Sequence, residues 1–331
     1  PIVISSQPLT AGITQREPPG EPGLQFLDLL HLLGLPLAVM KANDLLAMPV
    51  EPLHDLDSGF HGFVVDPVAV GRAAVDTGMT LIDNADVYGL DWGGTHFGAC
   101  EEALGRIFAS SPGLRNRVTL ATKGGIIPGV PYNSSGEYIV KACEASLSRM
   151  GVEHVDLYQI HRPDHFTHPE EIAEAFHSLH ARGLVREFGV SNYTPSQTLA
   201  LNSFVHNGLA TTQPQFSAAH LTPLRDGTLD LCMEAAITPL AWSPLAGGAL
   251  ATGANMRPEL TATLDQLAQR ENVTRSAIAI AFVLAHPSKP VAIVGTQNPA
   301  RIQEISAAMT VKLSRTDVYG IIQSSDGEPL P

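Results

Sequence analysis

Residues 79–89 of this 331-residue chain read MTLIDNADVYG. The short apolar run 79–82 predicts a buried strand, because runs of this length are typical of strands that are covered on both faces. An acid, Asp83, and a phenol, Tyr88, lie just beyond the end of that strand. This arrangement suits proton transfer, so it predicts a reactive site at the carboxyl end of the strand.

Three later predicted strands also end in chemically useful groups. Lys123, His161 and the pair Ser191-Asn192 each follow a short apolar run directly. One such ending is common by chance, but four in series indicate a shared face. The carboxyl ends of the strands of a (β/α)8 barrel meet at one face, where active sites lie.

Helices alternate with the strands from residue 66 onward. Several of them open with a capping residue followed by proline, which is favoured at the first helical position, and Thr194 to Gln197 fits a capping box. The predicted helices cover 67–78, 99–109, 136–150, 169–182, 195–206, 228–236, 258–270, 275–286 and 299–308. The predicted strands cover 80–83, 118–122, 155–160, 185–190, 210–215, 238–242 and 291–294.

Repeated strand–helix units predict a parallel sheet, because parallel neighbours need crossover connections. Seven strands after residue 79, with an eighth in 33–60, would close a single-domain α/β fold, the (β/α)8 TIM barrel. A doubly wound open sheet is the alternative, which is disfavoured because no Gly-rich dinucleotide turn follows the first strand. We assign 25–331 to the barrel and 1–24, dense in Pro and Gly, to an N-terminal arm or hairpin, ordered or disordered.

The composition narrows the range of partners and compartments. The formal net charge is −13 and no Lys/Arg cluster is visible, so neither nucleic acid nor an anionic membrane is an expected partner. The three cysteines are widely spaced, which gives no disulfide framework and favours a reducing cytoplasm. No apolar run reaches the length of a membrane-spanning helix.

Four residues form a chemically coherent set: Asp83, Tyr88, Lys123 and His161. A free tyrosine is a weak acid near neutrality, and a neighbouring lysine ammonium would lower its pKa. A buried lysine needs a counter-charge, which Asp83 would provide. An imidazole nearby can orient a carbonyl oxygen or help relay its proton. We therefore expect a site suited to carbonyl reduction.

Each of these residues also has a plain structural interpretation. Taken singly, Tyr88 would be a packing residue, His161 a loop hydrogen-bonder, Lys123 a turn lysine and Asp83 a cap. A second functional interpretation uses the histidines near 161–168 as metal ligands. It is disfavoured because no His-x-His pair or carboxylate set accompanies them. We predict no metal site.

Taken together, the strand ends and the phrases around them resemble the aldo-keto reductase superfamily of NAD(P)H-dependent oxidoreductases. The resemblance covers about residues 66–308, in the family's order. The phrases that carry it are DNADVYG at 83–89, EEALG at 101–105, ATK at 121–123, VDLYQIHRPD at 155–164, GLVREFGVSNY at 183–193, WSPLAGG at 242–248 and VGT at 294–296.

The resemblance implies a (β/α)8 barrel with Asp83, Tyr88, Lys123 and His161 as the catalytic tetrad and Tyr88 as the general acid. It implies NADPH (NADP+) as cofactor, with NADH less favoured. Ser191, Asn192 and Gln213 would bind the carboxamide, Trp242 would stack on the nicotinamide, and Ser243, Pro244, Leu245 and Gly247 would line the pyrophosphate. The adenosine end would meet Gly295, Thr296, Gln297, Arg301 and Glu304.

Arg301 is the main candidate cation for the 2′-phosphate, because Gly295 and Gln297 stand where the family often has a basic residue. Its place near the start of a helix is favourable, since helix N-termini attract anions. The resemblance implies reduction of a small aldehyde or ketone to an alcohol. The alternative is an NADP(H)-binding regulatory subunit with little turnover.

Overall fold

The computed structural model of the chain describes residues 38–41, 67–90, 96–111, 113–296 and 298–331, with the backbone alone at 38–41 and 67–71. The strands are β1 Ala38–Lys41, β2 Leu81–Asp83, β3 Thr119–Gly124, β4 Val155–Ile160, β5 Val185–Ser191, β6 Thr211–Gln213, β7 Thr238–Trp242 and β8 Val291–Val294. The helices are α1 Pro67–Asp76, α2 Ala99–Ser110, α3 Gly136–Met150, α4 Pro169–Ala181, α5 Pro195–Asn202, α6 Thr228–Glu234, α7 Ala249–Thr252, α8 Pro258–Glu271, α9 Arg275–Leu284, α10 Pro299–Ser306 and α11 Arg315–Asp326.

The strands form a closed parallel barrel in chain order. Closure depends on β1, which pairs with β2 on one side, where Met40 lies opposite Ile82, and with β8 on the other. The predicted (β/α)8 barrel is therefore confirmed, the open-sheet alternative is excluded, and the eighth strand lies inside the predicted window 33–60. The predicted arm over 1–24 lies outside the described residues.

The side chains of each strand alternate between the barrel interior and the helices. On β2, Ile82 joins the large apolar cluster that packs the helices on the barrel, whereas Leu81 belongs to a small separate cluster inside it. The small cluster comprises Leu81, Ala121, Leu157, Leu240, Val291 and Ile293. The next inward positions are Asp83 on β2, Lys123 on β3 and Trp242 on β7. These side chains therefore face the barrel interior at its carboxyl end.

Local capping explains where the helices begin. The Thr194 hydroxyl oxygen accepts the backbone N–H of Gln197, and the Gln197 side-chain oxygen accepts the backbone N–H of Thr194. These two bonds confirm the predicted capping box. Proline stands at the start of α4, α5, α8 and α10, as predicted. None of the helices in the described part of the chain is long and apolar enough to cross a membrane.

Some predicted bounds are wrong for local reasons. The strand predicted over 210–215 ends at Gln213, because Pro214 has no N–H to donate to the ladder. The helix predicted over 195–206 ends at Asn202, whose side-chain oxygen accepts the backbone N–H of Leu209 at 2.7 Å. Helix α11 has no counterpart in the prediction. It begins with a Ser314–Asp317 capping box.

Candidate active site

A buried ion pair lies at the carboxyl end of the barrel. Lys123 Nζ donates to Asp83 Oδ2 at 2.7 Å, and the exposed fractions of the two side chains are 0% and 1%. The same ammonium donates to the backbone oxygen of Asn84 at 2.8 Å and to the Tyr88 hydroxyl at 3.3 Å. Three acceptors match the three N–H donors of a lysine. The position of the ammonium is therefore determined by its neighbours.

Tyr88 and His161 face each other beside this pair. Their ring centroids are 5.5 Å apart at an interplanar angle of 81°, and both side chains are largely buried. Tyr88 also packs on Ala85, Val87 and Cys100. The structure thus brings the four predicted tetrad residues together.

The pKa of the Tyr88 phenol is raised well above its ordinary value, mainly by burial and secondly by the Asp83 carboxylate. The expected lowering of this pKa by Lys123 is outweighed, because burial is the largest effect on the phenol. A buried phenolate loses the hydration that would stabilise its charge, so desolvation dominates. The phenol consequently keeps its proton at neutral pH.

A second group of predicted residues continues from the tetrad along the barrel rim. Gln213 Nε2 donates to Asp83 Oδ1 at 3.1 Å. Asn192 Nδ2 donates to Ser191 Oγ at 2.8 Å, and the indole N–H of Trp242 donates to Asn192 Oδ1 at 3.0 Å. These contacts connect the ends of β5, β6 and β7 to the ion pair.

Asn192 adopts a left-handed backbone conformation, with φ of 59°, which asparagine tolerates better than most residues. Its side chain is thereby available to both Ser191 and Trp242. The Trp242 ring is only half-buried, so part of its surface faces the mouth of the barrel.

The residues predicted to contact pyrophosphate form a turn after β7. Ser243 has φ of 54°, and its Oγ accepts the backbone N–H of Gly247 at 3.0 Å. Gly247 and Gly248 both have positive φ, and a Cβ on either would meet no protein atom within 4 Å. Pro244 is buried in this turn and Leu245 is half-buried. The glycine backbone is therefore open to close approach by a ligand.

The predicted adenosine-end residues lie around the start of α10. Thr296 is buried and its Oγ accepts the Asn298 N–H at 3.2 Å, and Asn298 caps the helix through Ala300. Gly295, Arg301 and Glu304 are exposed. No hydrogen bond or ion pair joins these residues to the tetrad among the residues described. Gln297 lies outside the described residues.

Sequence reasoning missed two contributors to the site. The Asn84 carbonyl is a ligand of the Lys123 ammonium, which no side-chain motif could reveal. Asp86 was quoted in the motif without a role, yet its carboxyl is fully buried, and burial is the main reason that its pKa is raised well above the ordinary value. Its place beside two other buried carboxyls depends on tertiary structure.

No group of three or more His, Cys, Asp or Glu side chains in the described ranges is arranged to hold a metal ion. His168 instead caps α4 by accepting the Glu170 N–H, and its ring lies edge-on to Phe204. The arrangement therefore combines a buried phenol, a lysine ammonium paired with a carboxylate, and side-chain amide groups at the carboxyl end of the barrel.

Comparisons with known proteins agree with this geometry. The model of the Aldo/keto reductase family matches residues 66–326. A protein of Novosphingobium aromaticivorans named 6-dehydroglucose reductase is 41% identical over 292 residues, which cover 82% of this chain and 96% of the relative.

Two further relatives extend the comparison. A Schizosaccharomyces pombe protein named aldo-keto reductase yakc [NADP(+)] is 30% identical, over 78% of this chain and 82% of its own. The crystal structure of a thermostable aldo-keto reductase, Tm1743, with the inhibitor epalrestat superimposes with a TM-score of 0.68 at 25% identity. It covers 78% of this chain and 86% of its own.

Proposed function

We propose that this chain, which belongs to the aldo/keto reductase family, uses NADPH to reduce a small aldehyde or ketone. In this proposal Tyr88 is the proton donor. The observation that carries the proposal is the Tyr88 hydroxyl, 3.3 Å from an ammonium that is itself bound by Asp83.

Reduction of a carbonyl adds a hydride to carbon and a proton to oxygen. When bound, the reduced nicotinamide supplies the hydride. Tyr88 gives the proton, which its raised pKa keeps in place until negative charge develops on the substrate oxygen. The phenolate that remains is then stabilised by the Lys123 ammonium. In this proposal His161, whose ring is edge-on to that of Tyr88, would help to hold the carbonyl oxygen.

The chain's own residues fit the cofactor. Gln213, Ser191 and Asn192 present amide and hydroxyl groups beside the tetrad, next to the half-buried ring of Trp242. The open backbone at Gly247 suits a pyrophosphate. The exposed Arg301 guanidinium suits a 2′-phosphate, which favours NADPH over NADH.

The names of two relatives suggest a substrate to test first. Proteins of Novosphingobium aromaticivorans and Agrobacterium fabrum, 41% and 36% identical, are both named 6-dehydroglucose reductase, and a more distant relative from Escherichia coli is named methylglyoxal reductase. We propose a carbonyl on a small polar molecule, with an oxidised sugar as the first candidate.

The test is oxidation of NADPH and of NADH by the purified protein against 6-dehydroglucose, methylglyoxal and simple aldehydes. Tyr88→Phe removes only the donating hydroxyl, so kcat should fall by about 100-fold or more, with the Kd for NADPH little changed. Tyr132→Phe, which alters an exposed tyrosine, is the matched control. Full turnover by Tyr88→Phe would refute the proposed proton donor.

The alternative role of an NADP(H)-binding regulatory subunit makes a different prediction. It requires tight NADPH binding with no oxidation across the whole carbonyl panel. Isothermal titration alongside the turnover assay separates the two, because only the reductase couples binding to product formation.

A further inference from the structure

Three buried carboxyls and two cations lie around the ends of β2 and β3. Asp83 binds Lys123 inside the barrel. Glu101, on α2, is fully buried, binds Arg149 of α3 at 2.6 Å and accepts the Thr122 hydroxyl at 2.6 Å. Both cations are therefore already matched by a carboxylate.

Asp86 is the third carboxyl, and no ion pair joins it to a cation within the described ranges. The backbone N–H of Asp86 donates to the backbone oxygen of Lys123 at 3.0 Å. This bond holds Asp86 against β3, the strand that carries the lysine. The side chain of Asp86 is 0% exposed, and neither carboxyl oxygen has a well-formed hydrogen bond in the described part of the chain, where the nearby Val87 amide favours ionisation only as a smaller effect than burial. An isolated carboxylate is very costly to bury, so such a group retains its proton instead.

A second buried oxygen without a hydrogen bond lies near this carboxyl. The Tyr158 hydroxyl is buried and makes no hydrogen bond among the residues described. A Cβ placed on Gly124 would clash with Tyr158 Oη and would lie 3.3 Å from Asp86 Oδ2. Both oxygens therefore border the space beside this glycine without bonding to each other.

We propose that Asp86 is a neutral carboxylic acid and acts as a positioning residue for proton donation by Tyr88. Its neutrality leaves Asp83 as the one carboxylate paired with the Lys123 ammonium among the residues described. This coupling rests on the proposed role of Tyr88, whereas the protonation of Asp86 does not.

The surroundings of the carboxyl support this assignment. Burial and the Glu101 charge raise the pKa of Asp86, against smaller opposing effects of Arg149, the Val87 amide and Lys123. A negative charge on Asp86 also raises the pKa of three tyrosines, Tyr88, Tyr138 and Tyr158. Ionised Asp86 would raise the pKa of the Tyr88 phenol further, which makes Tyr88 a weaker acid.

Asp86→Asn tests the protonation, because asparagine keeps the shape and removes the titration. An acid with a raised pKa in the folded state contributes stability that is fully present below its unfolded pKa of about 3.9 and is lost as pH rises towards its folded pKa. The stability of Asp86→Asn relative to the wild type should therefore increase from pH 4 upward. Glu101→Gln is the contrast, because it leaves Arg149 unmatched and should destabilise at neutral pH.

The pH profile of kcat tests the coupling to Tyr88. The fall in kcat that follows ionisation of Asp86 should be missing from the profile of Asp86→Asn, because no negative charge can then form near Tyr88. Profiles that superimpose on the wild type would overturn the coupling. A loss of stability in Asp86→Asn at neutral pH as large as that in Glu101→Gln would overturn the protonation itself.

The wild-type protein provides a measurement that does not depend on folding of a variant or on turnover. Carbon-13 NMR of the protein labelled at aspartate carboxyls should show one resonance at the protonated position at pH 7. The absence of such a resonance overturns the proposal, while inactivity of the enzyme leaves this readout unaffected.

Discussion

Gln213 donates from Nε2 to Oδ1 of Asp83 at 3.1 Å, while Oδ2 of the same carboxylate holds Lys123. Both oxygens of Asp83 are therefore engaged, one towards the lysine and one towards the rim where we propose that the cofactor binds. Because these residues are 130 positions apart in the chain, the contact couples two distant strands. In the proposed function, cofactor recognition and proton transfer would therefore share one carboxylate.

Replacing Gln213 by leucine should remove this contact and free one side of Asp83. A hydrogen bond to a charged group is worth about 1.5–3 kcal/mol, so we expect a loss of that order in the free energy of unfolding, with a lower kcat. Urea unfolding and steady-state kinetics measure the two effects. Gln303→Leu, on the exposed face of α10, is the control. Equal behaviour of the two variants would contradict the role assigned to the contact.

Replacing Lys123 by methionine should leave a buried, unpaired Asp83. Breaking a buried ion pair by removing one partner costs about 3–5 kcal/mol, so the urea midpoint should fall strongly. The double variant Lys123→Met with Asp83→Asn should recover part of this loss, since no lone charge remains. Asp76→Asn removes the exposed pair with Arg117 and should leave the midpoint unchanged. A double variant less stable than the single one would argue against the charge-pairing explanation.

Alanine at Gly124 and at Gly189 should destabilise the barrel for different reasons. At Gly124 the closest atom to an added Cβ is the Tyr158 hydroxyl oxygen, whereas at Gly189 the Thr211 backbone oxygen also lies within 2.8 Å. Tyr158→Phe should therefore rescue Gly124→Ala in part, while Thr211→Val should not rescue Gly189→Ala. Thermal unfolding of the four variants checks this, and rescue at both positions would be inconsistent with the backbone contact.

Replacing Trp242 by phenylalanine keeps an aromatic ring but removes the indole N–H bound to Asn192. One hydrogen bond contributes about 0.5–1.5 kcal/mol, so the Kd for NADPH should rise about 2- to 12-fold. Isothermal titration measures this change. Phe204→Leu, at an exposed aromatic position, should bind as the wild type does. Unchanged affinity in Trp242→Phe would mean that the Asn192 orientation does not depend on the indole.

The pair Arg270–Asp317 should make α11 sensitive to acid. The guanidinium binds both oxygens of Asp317, at 2.7 and 2.9 Å, and holds the pKa of that carboxyl well below its usual range. A depressed pKa contributes stability that is present above the unfolded value of about 3.9 and lost as pH falls through the folded value. Asp317→Asn should therefore lower Tm at pH 7 but have little effect at very low pH. A Tm difference that stays constant with pH would exclude this linkage.

The tetrad was predictable because its four members stand at strand ends that periodicity reveals. The order of strands and helices followed from apolar runs and from proline after a capping residue, and the bounds of α3 and β4 match the prediction residue for residue. The raised pKa of Tyr88 was not predictable. Burial decides it, and the local sequence shows which charges are near but not how much water is excluded.

The N-terminal strand shows the same division. Its existence was required by the count of seven later strands, but its position was not readable, because a four-residue strand carries little pattern of its own. Pairing with β2 and β8 places it at Ala38–Lys41. Helix α11 was also missed, since its capping box stands beyond the last strand and lacks the proline that marked the other helices.

The sequence by itself determined the alternation of strands and helices, the family and the reactive groups at the strand ends, because these depend on periods and phrases within short stretches. Only the tertiary structure decided that Gln213 contacts Asp83, that the Asn84 carbonyl binds Lys123 and that Asp86 forms no ion pair in the part of the chain that is described. The physical reason is that burial and charge matching depend on groups brought together from distant strands, and barrel closure alone sets those distances.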